Sequence, residues 1–209
     1  MTVTNSGTIT GTAGTAVALG GLTGRLIVDP GAVFTGILDG GHGSSVLEIA
    51  ASSGSGSSAS GGGFGANSVV YVGLSSVKNF SALQIDPTAT LDLAGVVSFD
   101  TLINQGAINI ASGDSLAFGT VASAANTGTI NLFAGGTITF SGSVASQTLD
   151  FKTVGGRAVL DDPATFHGTI TGFAPGDTVD LGDDRLQPRR DGPAEGRQCA
   201  AGERERRHI

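Results

Sequence analysis

One unit recurs along the chain: an apolar residue, five residues of turn, and a second apolar residue. It is written VDPGAVF (Val28–Phe34), IDPTATL (Ile85–Leu91), IASGDSL (Ile110–Leu116), LFAGGTI (Leu132–Ile138), LDDPATF (Leu160–Phe166) and FAPGDTV (Phe173–Val179). A second unit, Asn-x-Gly, opens alternating stretches at Asn5, Asn104 and Asn126. The turn units at Ile85, Ile110, Leu132 and Leu160 follow one another at steps of 25, 22 and 28 along the chain. The interval from Asn104 to Asn126 equals the middle step. Pro-Gly, Ser-Gly and Gly-Gly supply turn dihedrals that β-branched residues adopt only at a cost. Polar-apolar alternation on either side, as in NTGTINLFAGGTITF (Asn126–Phe140), turns one face of each short strand inward.

A strand of this length cannot bury its face alone, so the units must stack. A period in the low twenties with strand–turn–strand content predicts a β-solenoid whose coils pair with one another. At ~22 residues per coil there is room for roughly eight coils, about 40 Å of stack at the usual strand spacing. Asn at a fixed corner is expected because it tolerates the left-handed region and stacks in ladders. A β-sandwich shares the short strands and Gly-rich turns and is the alternative architecture. The one stretch with helical spacing is LSSVKNFSALQI (Leu74–Ile85), expected as a short outer helix.

Charge divides the chain. The segment 1–180 carries four basic side chains (Arg25, Lys78, Lys152, Arg157) against twelve acidic ones. The segment 181–209 carries seven Arg against six acidic side chains. The acidic body excludes nucleic acid as a partner, since phosphates need a Lys/Arg face. The single Cys, Cys199, lies in the tail, so the body has neither a disulfide framework nor a thiolate metal site. No apolar run reaches the ~18 residues of a spanning helix, and the aromatic girdles of a membrane barrel are missing. MTVTNSGTITG (Met1–Gly11) lacks the basic and apolar regions of a signal peptide.

These units resemble the repeat region of bacterial autotransporter-type and filamentous-haemagglutinin-like surface proteins. The resemblance is carried by RLIVDPGAVFTGILDGGHGSSVLEIA (Arg25–Ala50), FSALQIDPTATLDLAG (Phe80–Gly95), NQGAINI from Asn104, NTGTINLF from Asn126 and FHGTITGFAPGDTVDL (Phe166–Leu181). It implies a right-handed parallel β-helix, export to the cell surface and adhesion to a host or environmental glycan or protein. It implies no fixed catalytic residue. The chain departs from that pattern in having neither a signal peptide nor a translocator barrel, which predicts a fragment of a larger exported protein.

Two segments stand apart. ASSGSGSSASGGGFGAN (Ala51–Asn67) is low-complexity and predicts a flexible surface loop between coils. From position 182 onward alternation stops, and DDRLQPRRDGPAEGRQCAAGERERRHI (Asp183–Ile209) is dominated by Arg, Gly, Pro and Ala. Those are residues of GC-rich codons, and a permitted back-translation shifted by one base restores a Pro-Gly turn followed by alternating apolar residues. The tail therefore reads as frame-shifted or disordered, readings under which Cys199 and His208 carry no chemistry, with a basic contact arm as the alternative.

Three stretches invite a site. GGHGSSVLE (Gly40–Glu48) resembles the calcium nonapeptide GGxGxDxUx through Gly40, Gly41, Gly43 and Leu47, with Ser45 where the ligand Asp belongs and His42 between the glycines. A single degenerate copy lacks the consecutive turns that such calcium sites require, so it reads as a Gly-rich corner. GDTVDLGDD (Gly176–Asp184) gathers Asp177, Asp180, Asp183 and Asp184, hard oxygen ligands suited to Ca²⁺ but without EF-hand spacing. LDDPATFH (Leu160–His167) places Asp161, Asp162 and His167 close together, as β-helical polysaccharide hydrolases do with acid/base pairs. Asp162, however, stands where Asp29 and Asp86 stand in the plain turn unit, which reads as a turn residue bonded to its own backbone. No G-x-S-x-G elbow is present. The expectation is an all-β, single-domain solenoid over residues 1–181, structural and adhesive, with no catalytic residue or cofactor. A polysaccharide-cleaving β-helix and a calcium-binding module are the alternatives.

Overall fold

The computed structural model describes residues 1–51, 69–73, 77–121 and 126–182. They form the expected all-β parallel solenoid, of about seven turns. The strands are β1 (Thr2–Asn5), β2 (Thr8–Ala18), β3 (Thr23–Val28), β4 (Val33–Asp39), β5 (Ser44–Ile49), β6 (Val69–Gly73), β7 (Val77–Lys78), β8 (Ala82–Ile85) and β9 (Thr90–Ala94). They continue as β10 (Val96–Asn104), β11 (Ala107–Ile110), β12 (Ser115–Val121), β13 (Thr129–Leu132), β14 (Thr137–Phe140), β15 (Thr148–Phe151), β16 (Arg157–Leu160), β17 (Thr169–Thr171) and β18 (Thr178–Asp180). Among the described residues every strand pairing is parallel, each strand lying on the equivalent strand of a neighbouring coil.

A coil passes over three faces. β1, β3, β5 and β8 stack on the first, which continues into the second half of β10. The second carries β6, β9, β11, β13, β15 and β17. The third carries the first half of β10, then β12, β14, β16 and β18. β10 joins the first and third faces because it turns the corner between them: Thr101–Asn104 pairs back to β8, while Val96–Phe99 pairs forward to β12. At the N-terminal end β2, β4 and β7 make a separate sheet, in which the pairing of β2 with β4 passes through register shifts.

The core is a set of ladders running along the stack. On the first face Val3, Leu26, Leu47, Leu83, Leu102, Val121, Val144 and Phe166 lie in register. From first to last these rungs span about 34 Å at ~4.8 Å per step. On the second face Leu91, Ile108, Ile130, Leu149 and Ile170 stack. On the third, Phe99, Phe118 and Phe140 stack at ring separations of 6.2 and 6.5 Å, and Phe140 meets Phe166 at 5.8 Å. Alternation is what fills these rows, since every second residue is buried and its neighbours face out.

The coil length explains one insertion. Thr2 pairs with Arg25, Arg25 with Val46, Val46 with Ala82 and Ala82 with Thr101. The numbering therefore advances by 23, 21, 36 and 19 at successive rungs. The excess of the long step over the shortest equals the length of the Gly/Ser-rich run Ala51–Asn67. That run is added within one coil without disturbing the register on either side. Its residues 52–67 lie outside the described residues, as do residues 183–209 of the tail.

Two local expectations fail. Leu74–Ile85 is not a helix where it is described: β7 and β8 are strands, and β8 pairs with β5 and β10 while burying Leu83 and Ile85. Cross-coil pairing overrides the faint helical spacing. The Asn-x-Gly corners are not left-handed either, since among the described residues only Asn79 and Thr88 outside glycine have positive φ. Asn5 and Asn104 instead accept the N–H of Gly7 and Gly106 on their side-chain oxygens, at 3.0 and 3.2 Å. That Asx turn needs only an acceptor two residues ahead of the amide.

Candidate functional site

The turn unit has one geometry at several corners. Its second residue accepts, on its carbonyl, the N–H of the fifth: Asp29 from Ala32, Asp86 from Ala89, Ala111 from Asp114, Phe133 from Gly136 and Ala174 from Asp177, at 3.0–3.1 Å. The fourth residue has positive φ: Gly31 at 85°, Thr88 at 68°, Gly113 at 86°, Gly135 at 76° and Gly176 at 105°. With Pro30, Pro87 and Pro175 at the third position, this is the pattern of a type II turn. The units at Val28 and Ile85 lead from the first face to the next, those at Ile110, Leu132 and Phe173 from the second to the third, and that at Leu160 from the third back to the first. Sharing one motif among three corners makes its steps along the sequence uneven.

The acidic candidates are drawn into this framework. Asp177 Oδ1 accepts the N–H of Gly155 and Gly156 in the preceding coil at 2.8 and 3.2 Å, and Oδ2 accepts Ala174 N–H at 2.9 Å. Desolvation pushes this carboxyl up, and the three donors outweigh it and hold it below its ordinary value. Asp114, the same turn position, caps Gly95 N–H one coil earlier at 2.7 Å. Asp180 bonds Arg157 at 2.8 Å and Gly182 N–H at 3.2 Å, and the Arg157 guanidinium, ahead of the Gly182 amide, lowers its pKa. Asp183 and Asp184 lie outside the described residues. Among the described residues no three of His, Cys, Asp and Glu converge as a metal site would require.

The nonapeptide-like stretch is a close coil contact. A Cβ on Gly43 would sit 1.7 Å from the carbonyl oxygen of Leu22, one coil earlier. Ser45, fully buried, donates its hydroxyl to Gly40 O. Leu47 is a core rung, and His42 is exposed. Asp39 accepts Asn79 Nδ2 and Gly41 N–H, each at 2.9 Å, and these two donors, with Asn79 first, keep its carboxyl low.

Asp161, Asp162 and His167 are all exposed, and among the described residues no ion pair includes them. Asp162 holds the short 3-10 turn Pro163–Thr165 through its carbonyl, which accepts Thr165 N–H and Thr165 Oγ1 at 3.2 Å each; its side chain makes no cap. This corrects the expectation of a side-chain turn bond. Among the described residues the buried carboxylate is Glu48, which is paired with Arg25; Arg25 also reaches Gln84 at 3.2 Å.

Outward rungs form polar rows. On the second face Asp92, Asn109, Asn131, Asp150 and Thr171 are in register. Asn109 donates to Asp92 at 2.6 Å and Asn131 to Asn109 at 2.7 Å. Beside this row, at the corner with the first face, runs an open groove of about 440 Å³ across three coils. Hydroxyl and amide side chains line it: Thr88, Thr90, Gln105, Thr127 and Thr129. Ala89, Gly106, Ala107 and Gly128 complete the lining. Glycine is required there because a Cβ on Gly106 would lie 2.2 Å from Ala89 O, and one on Gly128 2.2 Å from Gly106 O. The next residue in that row is Gln147, whose amide folds onto Gly128 O at 2.9 Å.

Thr88 on the groove rim is the anomaly. Its position in the turn unit needs positive φ, which the equivalent corners meet with glycine. A β-branched residue there carries about 1–2 kcal/mol of backbone strain. The sequence holds one signal of this groove, the Thr in IDPTATL where VDPGAVF has Gly.

No family model, curated protein or solved structure matches the chain at a significant level. Among the described residues no helix is long and apolar enough to cross a membrane.

Proposed function

We propose that this chain is a structural and adhesive segment of an exported surface protein, a rigid stalk that presents its outer rows to a glycan or protein partner and performs no catalysis. The observation that carries this reading is the use made of the acidic side chains. Asp114 and Asp177 each bind backbone amides of the preceding coil, so their charge is committed to holding coils together. A parallel solenoid whose corners are stapled in this way suits load-bearing display, with neighbouring coils covering the strand edges. The resemblance to autotransporter-type repeats supports the surface location.

The test is antibody labelling of intact source cells, with an antiserum raised against the purified chain, combined with brief protease treatment. Labelling of intact cells, lost on shaving, is the expected result. Labelling that requires permeabilisation overturns the surface reading.

A further inference from the structure

We propose that the groove bounded by Thr88, Thr90, Gln105, Thr127 and Thr129 binds a neutral, linear glycan lying along the solenoid axis, and that Thr88 is kept in its strained conformation to place a hydroxyl on that ligand. The proposal rests on the adhesive reading above and names its ligand class and surface.

Several observations converge on that class. Among the described residues the lining carries hydroxyls and one carboxamide and no ionisable side chain, so it offers neutral hydrogen bonds and no charge to match an anion or cation. Among the described residues it has no ring and no long aliphatic side chain, so an apolar peptide face gains little there. The strands beneath it are already paired on both sides, β11 with β9 and β13, so an extended peptide cannot add as a strand. The lining repeats once per coil, which suits a polymer whose units repeat along one axis.

The strain at Thr88 points to a ligand. Glycine fits the type II corner without cost and serves at Gly31, Gly113, Gly135 and Gly176. A Thr in that place gives up stability and contributes a hydroxyl on the groove rim. Strain of this kind, retained where a free alternative exists, collects at binding sites.

The experiment titrates the full chain with cellohexaose, laminarihexaose and maltohexaose, and with a galacturonate hexamer as the charged comparator, by calorimetry. At least one neutral hexasaccharide is expected to bind, and more tightly than the galacturonate. Thr88→Gly is expected to melt at or above the parent temperature while binding roughly five-fold more weakly, the loss of about one hydrogen bond. Ala107→Arg, which fills the middle of the groove from a strand position facing outward, is expected to abolish binding with the fold intact by circular dichroism. The groove assignment is overturned if no neutral hexasaccharide binds, if Ala107→Arg binds as well as the parent, or if Thr88→Gly lowers the melting temperature and leaves affinity unchanged. Surface labelling of intact cells without any hexasaccharide binding sinks the groove alone. Binding by a chain that labels only after permeabilisation leaves the groove and removes the surface reading.

Discussion

Asp177 reaches across to Gly155 in the coil before it, its Oδ1 at 2.8 Å from that glycine's amide nitrogen. With Gly156 and Ala174 the carboxylate serves three backbone donors, which take most of its acceptor positions. Asp177→Asn is the sharpest probe of this. An amide retains one acceptor oxygen but turns an NH₂ donor toward a backbone N–H, so a donor faces a donor. The variant is expected to melt several degrees lower. Millimolar Ca²⁺ is expected to leave the melting temperature of both proteins unchanged. A rise with Ca²⁺ in the parent, absent from the variant, would restore the calcium module.

The same carboxylates set a pH dependence. Asp39, Asp150, Asp177 and Asp180 all have pKa values below the ordinary 3.8. The dominant lowering causes are Asn79 for Asp39, Lys152 for Asp150, and Arg157 for Asp180; for Asp177 the amides of Ala174, Gly155 and Gly156 together outweigh an opposing desolvation. A depressed folded pKa stabilises the fold above the unfolded value and is lost as pH falls through the folded one. Thermal stability is therefore expected to stay level from neutral pH down to about pH 5 and to decline below pH ~4. Asp177→Asn should shallow that decline, and an equally steep acid limb in the variant would remove Asp177 from the account.

The solenoid was legible because its turn chemistry is local. The Pro-Gly and Gly-Asp corners and the alternating rows such as Thr137–Phe140 say where the chain bends and which side faces in. Which corner each unit occupies was not legible, since IDPTATL and IASGDSL share a turn geometry yet join different faces. The partner of Asp177 was hidden for the same reason, because Gly155 is remote in sequence and only the stacking register brings it near. Leu74–Ile85 misled because its helical spacing is weak and the strands that claim β8, β5 and β10, lie elsewhere in the chain. The groove went unseen because it is made from three coils at once.

The phenylalanine ladder predicts a break in cooperativity. Phe118 is almost fully buried between Phe99 and Phe140. Phe118→Ala removes a ring from the middle of the row and leaves a cavity, a loss of about 3–5 kcal/mol. In a stack stabilised by nearest-neighbour contacts, that loss falls on the interface between adjacent coils. Urea unfolding followed by circular dichroism is expected to move to a lower midpoint and to divide into two transitions. A single transition shifted by under about 1 kcal/mol would mean that the row repacks around the gap.

Gly43 separates a packing role from a metal role at the stretch that resembles a calcium repeat. Its φ is not in the left-handed region, so a side chain there is opposed by space alone, through the Leu22 carbonyl 1.7 Å from an added Cβ. Gly43→Ala must part the turn before β5 from the turn before β3, and overpacking of that kind costs about 1–3 kcal/mol. Because the opposing atom belongs to the backbone of a neighbouring coil, relief requires the Leu22 turn to move. The expected outcome is a lower melting temperature that added Ca²⁺ does not recover, with hydrogen exchange accelerated at the amide of Ser44, which bonds Leu22 O at 2.8 Å. Recovery of the parent melting temperature by Ca²⁺ would show that the glycine serves a metal loop, and unchanged exchange at Ser44 would show that the coils are not in contact at this point.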